Sequence, residues 1–136
     1  MTESKKRKTK KEKEVVGLVD DVIVRGEKGE VKVKALYDTG ATRTSVDEEI
    51  VEKVGLKDTG KTVLIKSKTS PKGYVKRKLY EAEIEVRGKK FNVVVNATRR
   101  SDMAYPVLIG RDIIHNNFII DVSLTHKSNK VKDLRE

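Results

Sequence analysis

Asp38, Thr39 and Gly40 follow directly on a strand-like run, and their types at this spacing suit acid–base chemistry. A carboxylate placed just after a strand has a rigid base and access to water. The glycine has no Cβ, so backbone N–H groups can approach the carboxylate closely. The threonine hydroxyl can lock the loop by hydrogen bonding. The same three residues also build an ordinary Asx-type turn at a strand end. Taken alone, the tripeptide leaves both readings open.

The elements that must position Asp38 are mostly strands. Residues 15–25 and 31–37 are rich in Val, Ile and Leu and flank a turn cluster with two glycines, Gly26 and Gly29. Residues 46–55 predict a short helix, with Val46, Ile50, Val51 and Val54 on one face and Gly55 as its stop. Residues 62–68 and 74–87 predict a hairpin around Pro71 and Gly73. In its second strand Tyr80, Ala82, Ile84 and Val86 alternate with charged residues, the pattern of a half-buried strand. A turn at Gly88-Lys89-Lys90 leads to a strand through Phe91, Val93, Val95 and Ala97. Residues 105–110 and 118–122 predict further strands, with a short helix at 111–116 between them. Many short strands, tight turns and one or two short helices point to an all-β, closed barrel-like fold.

At 136 residues the chain has room for one domain, expected over residues 15–124. Residues 1–14 form a basic tail with no apolar residue after Met1 and are expected to be disordered. Residues 125–136 form a second polar tail. There is no cysteine and there are only two histidines, His115 and His126, so neither a disulfide framework nor a metal site is expected. No apolar run approaches the ~20 residues of a membrane span. The expectation is a soluble cytoplasmic protein without a cofactor. The formal charge is +10, and residues 61–78, the predicted hairpin, contain seven Lys or Arg and no acid. The basic tail would suit a nucleic acid as well as simple solubility, although it lacks aromatic residues to stack on bases.

Two separated segments fit one known pattern. Residues 35–41 (ALYDTGA) resemble the catalytic loop of the retropepsins, aspartic proteases of retroviral type. Residues 107–114 (VLIGRDII) resemble their second signature, an apolar strand, Gly-Arg, an Asp or Asn, then a short helix. Between them lie a basic hairpin and two alternating strands, in the order of a flap and the strands after it. A narrower likeness covers residues 100–111. It is to a bacterial and archaeal group with retropepsin-like folds, once taken for ATP-dependent zinc proteases and associated with glutamate ligases. Those proteins usually have Asp-Thr-Gly-Ala-Arg-Thr-Ser, often followed closely by a His. Here Thr42 separates Ala41 from Arg43-Thr44-Ser45, and Val46-Asp47 comes next.

The resemblance implies an aspartic endopeptidase with Asp38 as catalytic acid/base. Thr39 would hydrogen bond across a dimer, Gly40 would donate its N–H towards the carboxylates, and Ala41 would line the groove. Leu108, Ile109, Gly110 and Arg111 would support the loop. Lys68, Lys72, Gly73 and Tyr74 would belong to the flap and contact a peptide or protein substrate. If the lysines there and Lys66, Lys76, Arg77 and Lys78 face the groove, their field would favour acidic peptides. The mechanism needs two carboxylates sharing a proton, and the chain holds one Asp-Thr-Gly, so a homodimer is implied. The alternative is a dimeric scaffold that holds acidic protein segments or RNA on its basic hairpin and tail. In viral retropepsins an acidic residue at the position of Thr42 pairs with the arginine after the later glycine. Arg111 is therefore expected to pair with Asp112, Asp121 or the other subunit. Asp112 reads as a helix cap, Asp121 as a strand-end residue, and His115 as structural or exposed.

Overall fold

Alternation sets the longest strand of the structure, a computed structural model that describes residues 12–99 and 104–124. In β6 (Tyr74–Val86) every second side chain from Ala82 onward is buried, and the intervening glutamates face outward. The other strands are β1 (Glu14–Val16), β2 (Val19–Gly26), β3 (Gly29–Tyr37), β4 (Ser45–Asp47), β5 (Lys57–Lys66), β7 (Lys89–Thr98), β8 (Val107–Ile109) and β9 (Phe118–Ile120). Two short helices, α1 (Glu48–Val54) and α2 (Arg111–Ile114), interrupt them. Six strands in the order β2-β3-β8-β4-β7-β6 close into a barrel when β6 pairs back onto β2. The all-β closed barrel with two short helices and a hairpin is thus the observed architecture. Closure matters because it leaves those six strands no open edge.

β6 has a divided edge. Its first part, up to Glu81, pairs with β5, and from Glu83 onward the same edge pairs with β2. The β5–β6 hairpin therefore leaves the barrel where β2 takes over. The core inside the barrel is built from sealed aliphatics such as Val24, Ile84, Val95 and Ile109. Each such side chain contributes about 1.5–3 kcal/mol by leaving water.

Several boundaries differ from the expected ones. The run at 15–25 is two strands, because after Gly17 and Leu18 the chain changes sheets: β1 pairs in parallel with β9, not within the barrel. That pairing takes in Glu14, the last residue of the expected tail; residues 1–11 and 125–136 lie outside the described residues. Val46 belongs to β4 and not to the helix, since it fills a gap between β7 and β8 and is wholly buried there. Helix α1 begins at Glu48 and ends as expected at Gly55, which takes the left-handed conformation with φ 70°. β5 starts at Lys57, earlier than expected, with a register shift between Asp58 and Thr62 that accommodates Gly60. The turn between β6 and β7 is Arg87-Gly88, both at positive φ, so Lys89 and Lys90 fall inside the strand.

Arg87 tolerates that conformation within a charged cluster. Its guanidinium donates to Glu14 (2.5 Å) and to Asp20 (3.2 Å), and Asp20 also accepts from the Tyr37 hydroxyl at 2.6 Å. The Arg87 hydrogen bond holds the Glu14 carboxyl below its ordinary value, with Lys89 adding to it against the effect of burial. Burial, then Asp20, push the Tyr37 phenol up. Because folded Glu14 keeps its charge to lower pH than the unfolded residue, its contribution is complete above the unfolded value. It is lost as pH falls through the folded one. Stability should therefore decline in acid below about pH 4.3. Glu14→Gln should flatten that part of the profile, as read by denaturant unfolding at a series of pH values.

Candidate functional site

Strands β3 and β8 run parallel and in register, Leu36 beside Leu108 and Tyr37 beside Ile109, and both end together. The Asp38 N–H donates to the Ile109 carbonyl at 2.8 Å, so the aspartate is fixed at the point where the ladder stops. The chain then folds over itself. The Gly40 N–H donates to Asp38 Oδ1 at 2.9 Å, and the Ala41 N–H donates to the Asp38 carbonyl at 3.1 Å. Both sequence readings of this tripeptide are therefore present at once: an Asx-type turn, and a half-buried carboxylate in a cleft. Among the described residues the second carboxylate oxygen, Oδ2, has no hydrogen-bond partner.

Residues 110–112 clamp this loop from behind. Gly110 has ordinary extended backbone, with φ −93° and ψ −174°. What requires glycine there is space, since a Cβ would lie 2.6 Å from the Arg43 carbonyl carbon. The close approach lets the Gly110 N–H donate to the buried Thr44 hydroxyl at 3.0 Å. That hydroxyl donates in turn to Asp112 Oδ1 at 2.7 Å, and the Thr44 N–H also points at the Asp112 carboxylate (3.0 Å to Oδ2). Arg111 closes the other side. Its N–H donates to the Ala41 carbonyl at 2.8 Å, and its guanidinium donates to the Thr39 carbonyl at 2.9 Å and the Thr42 hydroxyl at 3.2 Å.

These contacts correct two expectations. Within the chain Arg111 pairs with neither Asp112 nor Asp121; the loop itself supplies its partners, and Thr42 provides one of them. Asp112 is not a helix cap, because its carboxylate reaches back to Thr44 and the N-cap of α2 is Gly110. Asp121 follows β9 and is held by Ser123, whose hydroxyl and N–H lower its pKa. His115 is exposed at the end of α2. Of Asp38, Asp112 and Asp121, Asp38 is the one that lines the cleft between the loop and the hairpin.

That cleft encloses about 570 Å³ between the loop and the hairpin. Asp38, Gly40, Ala41 and Thr42 form one side, and Val63, Leu64, Ile65 and Lys66 of β5 face them. The expected flap contacts Lys68, Lys72, Gly73 and Tyr74 lie at the exposed tip and do not line it. Of the other basic residues Lys66 and Arg77 reach the cleft. Lys76 and Lys78 line only a neighbouring groove against Glu48 and Glu52 of α1, and Arg77, between them, borders both.

Sequence reading missed Arg43, Ser45 and Asn96. Asn96 is buried in β7, and its side-chain oxygen accepts from Ser45 Oγ at 3.0 Å and from the Arg77 guanidinium at 3.2 Å. Three elements thus meet at one amide: the loop strand β4, the barrel wall and the hairpin. The one signal available was an asparagine inside a strand, a poor strand former that needs a reason to be there. Removing the hydroxyl at the loop clamp should be costly. Thr44→Val should lose about 1.5–3 kcal/mol of stability by denaturant titration, and Thr44→Ser, which keeps the oxygen, clearly less.

A family model described as aspartyl protease matches residues 22–113. Among solved structures, a Legionella pneumophila protein of unknown function (DUF785) is 22% identical with a TM-score of 0.56, covering 86% of this chain and 99% of that one. EIAV protease in complex with the inhibitor HBY-793 is 15% identical with a TM-score of 0.50, over 72% and 85% of the two chains. Simian foamy virus protease is 26% identical with a TM-score of 0.47, over 68% and 89%. No curated protein sequence matches the chain.

Proposed function

The chain belongs to the aspartyl protease family, and we propose that it is an endopeptidase whose active site forms when two copies bring their Asp38 residues together. One observation carries the reading: Asp38 is pinned at a strand end by the Gly40 and Ile109 backbone, with one oxygen left over, on the floor of a cleft. Asp112, the anchor behind the loop, has both oxygens engaged by Thr44 and does not line this cleft.

Two carboxylates about 3 Å apart cannot both ionise, so the pair holds one proton. The ionised member takes a proton from water as the water oxygen attacks the scissile carbonyl carbon. The protonated member gives its proton to the carbonyl oxygen, leaving a gem-diol. As the diol collapses the C–N bond breaks, the protonated carboxyl gives its proton to the leaving nitrogen, and the ionised carboxylate takes a proton from a diol hydroxyl. The pair ends with one proton again.

This chain carries a single Asp-Thr-Gly, so the second carboxylate comes from a second copy. Thr39 supports that arrangement: it is exposed, its carbonyl is held by Arg111, and its hydroxyl has no partner among the described residues. In the dimer that hydroxyl bridges the two loops and keeps both carboxylates in register.

Asp38→Asn should fold and dimerise but abolish cleavage of a peptide library between acidic and neutral pH. Mixing equal amounts of wild type and variant, with time to exchange subunits, should give roughly a quarter of the activity of wild type alone at the same total concentration, the fraction of dimers with two aspartates. One half remaining would mean that each chain works alone. If wild type dimerises and cleaves nothing, the scaffold reading takes its place.

A further inference from the structure

Among the described residues two arginines have built-in counter-ions, whereas Arg77 and Arg43, in the cleft, and Arg111, behind the loop, bond to neutral groups. Arg25 sits among Glu30, Glu83 and Glu85, and Arg87 lies between Glu14 and Asp20. Arg77 is half-buried beside the catalytic loop, and its partner is the neutral oxygen of Asn96. Arg43, on the same cleft, donates only to the Val94 carbonyl at 3.3 Å. Among the described residues no carboxylate lies in salt-bridge range of either. The lining holds three cations, Arg43, Lys66 and Arg77, against one acid, Asp38.

An arginine in this position is oriented but uncompensated. Asn96 is itself fixed by Ser45, so the guanidinium plane is held in place before any ligand arrives. Partial burial disfavours its charge and pushes its pKa down. An incoming anion would relieve that penalty, and a planar guanidinium matches a carboxylate better than it matches other side chains.

We infer that Arg77, oriented by Asn96 and assisted by Arg43, is a specificity-determining residue that binds a carboxylate of the peptide in the cleft. The inference rests on the protease reading for its substrate, a peptide, but its chemistry is binding alone. It assigns recognition to the floor of the hairpin, at short range, and not to the lysines at its tip. The carboxylate comes either from an acidic side chain or from the free C-terminus of the peptide.

Binding to the full chain carrying Asp38→Asn separates these sources without turnover. Four labelled peptides are compared by fluorescence anisotropy: Glu or matched Gln at one position, each with a free or an amidated C-terminus. A bound side chain makes the Glu peptide tighter than the Gln peptide by about tenfold even when both are amidated. A bound terminus makes the free acid tighter than the amide by a similar factor in the Gln peptide. Adding Arg77→Gln should erase the preference, and Arg77→Lys should keep part of it. Four equal affinities overturn the inference before any Arg77 variant is made, and so does a preference that survives Arg77→Gln. Cleavage of the same peptides by the unaltered chain reports separately on the enzyme. Preference without cleavage supports the subsite and removes the protease; cleavage without preference does the reverse.

Discussion

The interaction on which the site depends is the meeting of residues 110–112 with residues 41–44. One hydroxyl, that of Thr44, both accepts from Gly110 and donates to Asp112, so two chain segments far apart in sequence share a single buried oxygen. A polar group sealed from water is expensive unless it is hydrogen-bonded, and here the hydroxyl both accepts and donates. Absence of a Cβ at Gly110 is what lets the segments come close enough. Arg111 then organises the outer side of the same loop through carbonyls and a hydroxyl, without a charge partner among the described residues. Gly-Arg-Asp is therefore a division of labour: clearance, outer clamp, inner anchor.

Much of the architecture was legible because it rests on local patterns. Alternation in residues 80–86, the glycine stop at Gly55 and the turn around Pro71 and Gly73 each have a direct physical meaning, and the chain follows them. The misreadings occurred where a tertiary demand overrode a local one. Val46 has helical spacing with Ile50, yet it is claimed by the open edges of β7 and β8. Residues 15–25 are apolar enough for one strand, but β9 draws off the first part. The early half of β5, with Asp58 and Gly60, looks like loop because a register shift rarely announces itself in composition. At the site, Asp38 could be found from its neighbours, whereas Asn96 could not. Its role arises only when β4, β6 and β7 are side by side.

Charge shows the same limit. A stretch with seven basic residues suggests one positive face, but of these seven only Lys66 and Arg77 line the cleft. Lys76 and Lys78 border the groove opposite Glu48 and Glu52, and Arg77 borders both. The functional weight of a charged segment is thus set by where its residues lie. Total charge governs solubility and long-range attraction, whereas the charge inside the cleft comes from the few residues that line it.

The divided edge of β6 has a mechanical meaning. From Glu83 onward the strand is paired on both edges within the barrel wall, while the backbone of residues 74–78 pairs only with β5. The hairpin is therefore a cantilever, clamped at its root and free at its tip, with a soft point at the shift between Asp58 and Thr62. Bending it breaks no backbone hydrogen bond of the barrel, and the side-chain tie from Arg77 to Asn96 is the link it strains. Its reach can also change, by adding or removing paired residues at the tip, without disturbing the closed sheet that holds Asp38. Load-carrying and adaptable parts are kept on opposite sides of one residue, Ala82.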